Sequence, residues 1–199
     1  MTNWQDLTYK LIYLYIKRLF NTTLSIYLQQ QMRKDMRQVE FVPLLIRNNA
    51  EIFSVRFCNE AKTEFSKMLE IVRQAHDSYI ERDKNEILKV LSKMTERGIL
   101  EYLFRPEGSI NDRVCAIPLD CAKRDINRHG TLRLYCIRIS DKLLITGSGG
   151  IKTTRTYEQD TLLYDAVIIM QKIDKIILEM ENEGICIEDE IYNLTITID

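Results

Sequence analysis

The succession of hydrophobic patterns along the chain predicts an α+β domain in which helices pack on a curled antiparallel sheet. Three observations carry that prediction. Glu51 to Cys58 alternates Ile52, Ser54 and Arg56 with Phe53, Val55 and Phe57, the two-residue period of a half-buried strand. Two segments that follow repeat apolar residues at helical spacing. The later strand-like runs are neighbours in sequence, and short connections make such neighbours antiparallel.

Taken in order, the first strand gives way at Asn59, a residue type that caps helices, to a stripe of Ala61, Phe65, Met68, Leu69 and Val72, with Lys62 and Glu64 off it. A second helix is expected from about Arg82, with Ile87, Leu88, Leu91 and Met94 as its apolar face and Gly98 as its stop. Leu100 to Phe104 reads as a short strand closed by the turn Arg105-Pro106-Glu107-Gly108, and Val114 to Leu119 as another short apolar segment. Leu132 to Ile139 and Leu143 to Thr146 form a hairpin across Ser140-Asp141-Lys142, the second run stopping at Gly147. The glycines at 147, 149 and 150 are then expected to turn the chain sharply and bring Lys152 back toward the sheet. A long helix follows from about Gln159 to Glu183, with Leu162, Leu163, Ala166, Val167, Met170, Ile173, Ile176 and Ile177 on one side and Gly184 ending it. Ile191 to Ile198 alternates and reads as a last strand.

Residues 1–38 stand apart as an amphipathic helical extension, and the globular pattern runs from 39 to 199. Leu7, Leu11, Leu14 and Ile16 give a loose helical stripe with Lys10, Lys17 and Arg18 off it. No apolar run approaches the roughly 20 residues needed to span a bilayer. Asp6 stands where a secretory signal needs positive charge. The segment is read as a docking helix for the domain or a partner, with a basic membrane-surface helix and sequence upstream of a start at Met36 as the other readings.

Composition narrows the chemistry. At 199 residues the chain can bury a full core without staples. Its five cysteines, Cys58, Cys115, Cys121, Cys136 and Cys186, include no Cys-x-x-Cys pair, which points to a reduced, cytoplasmic protein. His76 and His129 are the only histidines, so no histidine-rich metal site is available, and neither metal nor cofactor is expected. The formal net charge of −1 hides two opposed halves: residues 121–157 carry eight cations against two acids, and residues 158–199 carry two cations against eleven acids. Such asymmetry fits a nucleic-acid surface followed by an acidic segment, and equally a solvated acidic helix.

The stretch from Thr131 to Tyr157 gathers Arg133, Arg138, Lys142, Lys152 and Arg155 with Tyr135 and Tyr157, and Asp141 is its only acid. That is a site for a polyanion. The segment Gly147-Ser148-Gly149-Gly150-Ile151-Lys152-Thr153 differs from a nucleotide-binding loop, because Ile151 rather than glycine precedes the lysine and β-branched residues follow where a helix must begin.

The order of elements together with Leu132-Arg133-Leu134-Tyr135, the apolar run Leu143-Leu144-Ile145-Thr146, Gly150-Ile151-Lys152-Thr153 and Leu103-Phe104-Arg105 resembles the RelE/ParE superfamily of small toxins, above all its HigB-like and phage-derived members. The resemblance covers roughly Phe53 to Lys175. It departs where many members have a Phe-Lys-Lys-Thr turn, the lysine pair being Ile151-Lys152 here, and in the greater length at both ends. It implies two helices on a curled antiparallel sheet, and a toxin of a type II toxin–antitoxin system that cleaves messenger RNA without metal, often on the ribosome, with an antitoxin as partner. Arg133 and Arg155 would then clamp the phosphate, guanidinium being a bidentate phosphate ligand. Lys152, Tyr157 and Tyr135 would be the candidates for proton transfer, their pKa values lowered by clustered cations. Arg105, Arg138 and Lys142 would extend the RNA contact. His129 is the remaining candidate base, beside Gly130 in a loop. The same cationic sheet would equally serve a non-enzymatic relative that poisons a topoisomerase by contact, or a nucleic-acid-binding module.

Overall fold

The computed structural model describes residues 37–107, 112–117, 119 and 129–199, and the strands and helices below belong to a compact unit spanning Gln38–Ile198. The expected amphipathic helix of residues 1–38 lies outside the described residues up to position 36. The domain is α+β, as the patterns predict.

The first element, β1 (Arg37–Arg47), pairs antiparallel with β2 (Ala50–Phe57) across Asn48-Asn49, with Val39 opposite Phe57 and Arg47 opposite Ala50. This strand was not expected from the sequence. Its ladder slips by one residue between Pro43 and Leu45, where proline has no N–H to give, and the slip breaks the period that would have announced a strand. Strand β2 is also not half-buried: Ile52, Phe53, Ser54, Val55 and Phe57 are all buried, because helices cover both faces of the sheet.

Helix α1 (Glu64–Ala75) starts four residues later than Asn59 suggested, because the Thr63 hydroxyl accepts from the Ser66 N–H at 3.2 Å. The turn to α2 (Ser78–Arg97) is made by His76 in the left-handed conformation, φ 48°. Asp77 caps α2 by accepting from the N–H groups of Tyr79 and Ile80, which moves the start upstream of Arg82. The stop at Gly98 holds: with φ at 91° it donates its N–H to the Met94 carbonyl, a conformation a Cβ would strain. Leu88, expected on the apolar face of α2, is exposed.

Leu100 to Phe104 is not a strand. Glu101–Leu103 is a turn of 3₁₀-helix, and the two residues read as a turn, Arg105–Pro106, form β3. There follow β4 (Val114–Ala116), β5 (Thr131–Arg138) and β6 (Leu143–Lys152), then α3 (Thr161–Asn182), α4 (Ile187–Glu190) and β7 (Thr195–Ile198). Helix α3 is capped by Asp160, which accepts from Leu162 and Leu163. Strand β7 is shorter than Ile191 to Ile198 because residues 191–193 complete the turn after α4.

The strands form one sheet in the order β3-β4-β5-β6-β2-β1-β7. It is mixed rather than antiparallel: β6 pairs antiparallel with β5 and parallel with β2, Ile52 lying beside Leu144 and Ser54 beside Thr146. The crossover that this parallel pair requires contains α1 and α2. Those helices bury Phe65, Met68, Val72, Ile80, Ile87 and Leu91 against Ile52, Leu132, Leu134, Cys136 and Leu144 on one face. Helix α3 buries Leu163, Val167, Met170, Ile173 and Ile177 against Phe53, Val55, Tyr135, Ile137 and Ile145 on the other. Several buried polar groups are paired. Thr146 Oγ1 donates to the Phe53 carbonyl, Ser54 Oγ accepts from Phe65, and Asp174 holds the backbone N–H and Nε of Arg113, both at 2.8 Å. Among the described residues no helix is long and apolar enough to cross a membrane.

The glycine-rich segment is the largest departure from expectation. It is not a turn: β6 runs straight through Gly147, Ser148, Gly149 and Gly150 to Lys152. The glycines are there because other parts of the fold occupy the space of their side chains. A Cβ on Gly147 would lie 2.2 Å from the sulfur of Met170 on α3, and one on Gly149 would lie 1.8 Å from the carbonyl oxygen of Arg133 on β5. The β5–β6 ladder shifts by one residue between Leu134 and Cys136 at this level, a bulge that two small residues permit.

Candidate functional site

The bulge decides where the cations go. Beyond it, Arg133 lies opposite Gly150 and Thr131 opposite Lys152. Directly opposed residues share a face of the sheet, and so do residues two apart on one strand, so Arg133 and Lys152 share a face and are diagonal neighbours. The intervening Ile151 packs with the α1–α2 side, whereas Tyr135, two residues on from Arg133, packs with the α3 side. The shared face is therefore the one that α3 covers, at the end where β5 begins, β6 ends and α3 starts.

Second-layer contacts fix this end of the sheet. Asp83 of α2 is buried and accepts from the backbone N–H of Leu132 at 3.0 Å, holding β5 one residue before Arg133. After β6, Gln159 accepts from the N–H groups of Arg155 and Thr156, and the Thr154 hydroxyl donates to the Thr156 carbonyl, a compact turn that presents Arg155 to solvent. Tyr157 follows, half-buried, its ring edge-on to Tyr135 with centroids 6.4 Å apart. Arg133 Nε and Tyr135 Oη are buried atoms with no hydrogen-bond partner among the described residues.

The electrostatics reverse one expectation. Cations do not bring the tyrosine pKa values below the ordinary one. Burial pushes Tyr135 well above the ordinary tyrosine value, and Glu107 adds to this while Arg133 opposes it. Tyr157 is raised too, by burial first and then by Glu158, Asp112 and Glu107. Both hydroxyls thus stay protonated near neutral pH and are donors rather than bases. Glu158 is held below the ordinary carboxylate value, chiefly by a hydrogen bond from Thr156, with Lys152 contributing. The rim consequently carries both signs of charge: Glu107, Asp112 and Glu158 act on the tyrosines beside Arg133 and Lys152, and Arg155 lies on the turn that follows β6.

A pH prediction follows. A tyrosine whose folded pKa is raised keeps its proton in the fold while the unfolded chain loses it above about pH 10. The folded state then binds the extra proton, and stability falls as pH rises through that range. Tyr135→Phe is expected to flatten the decline in urea midpoint between about pH 9 and about pH 11. At neutral pH it should leave stability equal or slightly higher, because it removes a buried hydroxyl without a partner. A decline identical in the two proteins would contradict this.

Two predicted RNA contacts, Arg138 and Lys142, are not gathered at the rim. Arg138 Nε donates to the Ile99 carbonyl at 2.7 Å and ties the end of α2 to the sheet. Lys142 lies on the β5–β6 turn at the far end of β6, about 30 Å from Lys152 at 3.3 Å per residue. Arg105 lies in β3, its backbone in register with Ala116, which is in turn opposite Tyr135. His129 is exposed, just before β5. Sequence reasoning missed Glu107, Asp112 and Arg113. Asp112 accepts from Gln171 at 2.8 Å, and Arg113 also pairs with Glu181 at 2.9 Å, so part of the acidic segment serves to hold α3 on the sheet. No local pattern announces an ion pair and a hydrogen bond that each reach across some 60 residues of chain.

No family model matches this chain, and no curated protein or solved structure matches it either.

Proposed function

We propose that the chain is the toxin of a type II toxin–antitoxin pair, of RelE/ParE type, and that its α3-side rim binds messenger RNA in the cytoplasm, on the ribosome, and cleaves it without a metal. The observation that carries this reading is the register that brings Arg133 and Lys152 to one face, beside two tyrosine hydroxyls. A strand followed by two helices and an antiparallel hairpin is also the order the resemblance implies, whereas the parallel β2–β6 pair departs from the antiparallel sheet it implies.

In this reading Arg133 takes two oxygens of the scissile phosphate in its guanidinium fork, and Lys152 and Arg155 neutralise the adjoining backbone. Arg133 Nε and Tyr135 Oη supply buried donors, which cost stability unless a ligand meets them. On the same reading Tyr157, which keeps its proton near neutral pH, protonates the leaving 5′-oxygen, and the ionised Glu158 carboxylate draws the proton from the 2′-hydroxyl. The antitoxin is a partner that keeps RNA from this rim.

The mixed charge favours one alternative. Acids beside cations weaken attraction for a polyanion, as suits a protein of the same fold that acts by contact with a protein target. Expression of the full chain in a bacterial host tests both. Growth arrest by the natural chain and none by an Arg133→Ala, Lys152→Ala double variant at equal soluble level is the expected result. Equal arrest by both would show that these cations do not carry the activity, and arrest without new RNA ends would favour the contact reading.

A further inference from the structure

Two thiols meet across the sheet on the face opposite Arg133. Cys115 of β4 and Cys136 of β5 are directly opposed in the antiparallel ladder, and their sulfurs are 3.5 Å apart. Each sulfur is also 3.5 Å from the partner's carbonyl oxygen. Opposed residues of antiparallel strands have Cα atoms about 4.5–5.5 Å apart, within the roughly 4.4–6.8 Å that a disulfide spans. Side-chain rotation alone can join them. We propose that Cys115 and Cys136 form an oxidation site, a dithiol that a peroxide converts to a cross-strand disulfide.

Access makes the two sulfurs unequal. Cys115 is 6% exposed and lines a cleft of about 460 Å³ together with Phe104, Arg113 and Arg138, whereas Cys136 is fully buried. The oxidant therefore reaches Cys115. Its sulfur attacks the peroxide, an S–O bond forms as the O–O bond breaks, and water leaves, giving the sulfenic acid. The Cys136 sulfur then displaces that oxygen: the S–S bond forms, the S–O bond breaks, and the Cys136 proton departs with the hydroxide as water. Two thiols lose two electrons and one peroxide becomes two waters. Burial and the neighbouring Cys115 raise the Cys136 pKa well above the ordinary thiol range, consistent with Cys136 acting second, on an electrophile held against it. The bond ties the three-residue β4 to the strand that carries Arg133 and Tyr135. The other described cysteines, Cys58 and Cys186, are exposed.

The test uses the full chain carrying Cys58→Ser, Cys121→Ser and Cys186→Ser, treated with hydrogen peroxide, digested without reduction and read by mass spectrometry. The expected product is a linked Cys115–Cys136 peptide that has lost two hydrogens and separates on reduction, with a melting temperature several degrees higher in the oxidised chain. In a Cys136→Ser variant, dimedone should instead trap the sulfenic acid at Cys115. The digest of the unsubstituted chain gives the same readout if the substituted chain does not fold. Two free thiols persisting at Cys115 and Cys136 in the unsubstituted chain after its exposed Cys58 is fully oxidised, or Cys115 passing to the sulfinic acid with no linked peptide in either chain, would overturn the proposal.

Discussion

Replacing Gly149 with alanine is expected to destabilise the domain by about 4 kcal/mol or more, in the range where point substitutions point to one identifiable clash. The added Cβ would lie 1.8 Å from the Arg133 carbonyl oxygen, 2.8 Å from its carbon and 3.0 Å from the Leu134 Cα. All three atoms are backbone of β5, so no side-chain rotation relieves the overlap. The strands must separate at the bulge, and Arg133 moves with them. Gly147→Ala makes an internal control, because its Cβ would meet the sulfur and Cγ of Met170, the mobile part of a flexible side chain. Overpacking of that kind costs about 1–3 kcal/mol. Urea denaturation of both variants measures the difference, and a Gly149→Ala cost no larger than that of Gly147→Ala would contradict the close approach of β5 and β6.

The same glycines show what the sequence could and could not convey. Glycine has no side chain to register a strand period, and three glycines in four residues read locally as a turn. Only Met170 and Arg133, both distant in sequence, explain them. The hairpin of β5 and β6, the stop at Gly98 and the apolar stripes of the helices were legible, because each is written in neighbouring residues. Strand β1 was not, since Pro43 sits at its bulge. The start of α1 was misplaced because Asn59 and Thr63 are both capping residue types, and only geometry shows that Thr63 accepts the bond.

The candidate site divides along the same line. Arg133 and Lys152 were legible as a pair because both lie on one hairpin, although the bulge rather than a turn is what aligns them. Arg138 looks identical to Arg133 in sequence and differs only in its partner, the Ile99 carbonyl at the end of α2. The acids that raise the two tyrosines come from the segment after β3 and the turn before α3, and the buried Asp83 that anchors β5 comes from α2. Charge counted along the chain overstated the cationic character of the rim, since tertiary packing delivers Glu107 and Asp112 to it.

The central claim is that the Arg133–Lys152 rim cleaves RNA. The most direct measurement incubates the purified full chain, and separately its Arg133→Ala, Lys152→Ala variant, with ribosomes programmed with an end-labelled messenger RNA. Removing one donor aimed at charge that develops in the transition state typically costs about 100- to 1,000-fold in rate, so the double variant should fall to background. The account predicts defined fragments ending in a 2′,3′-cyclic phosphate from the natural chain, and intact RNA from a variant that melts at the same temperature. Intact RNA with both proteins, or equal cleavage by both, would contradict it.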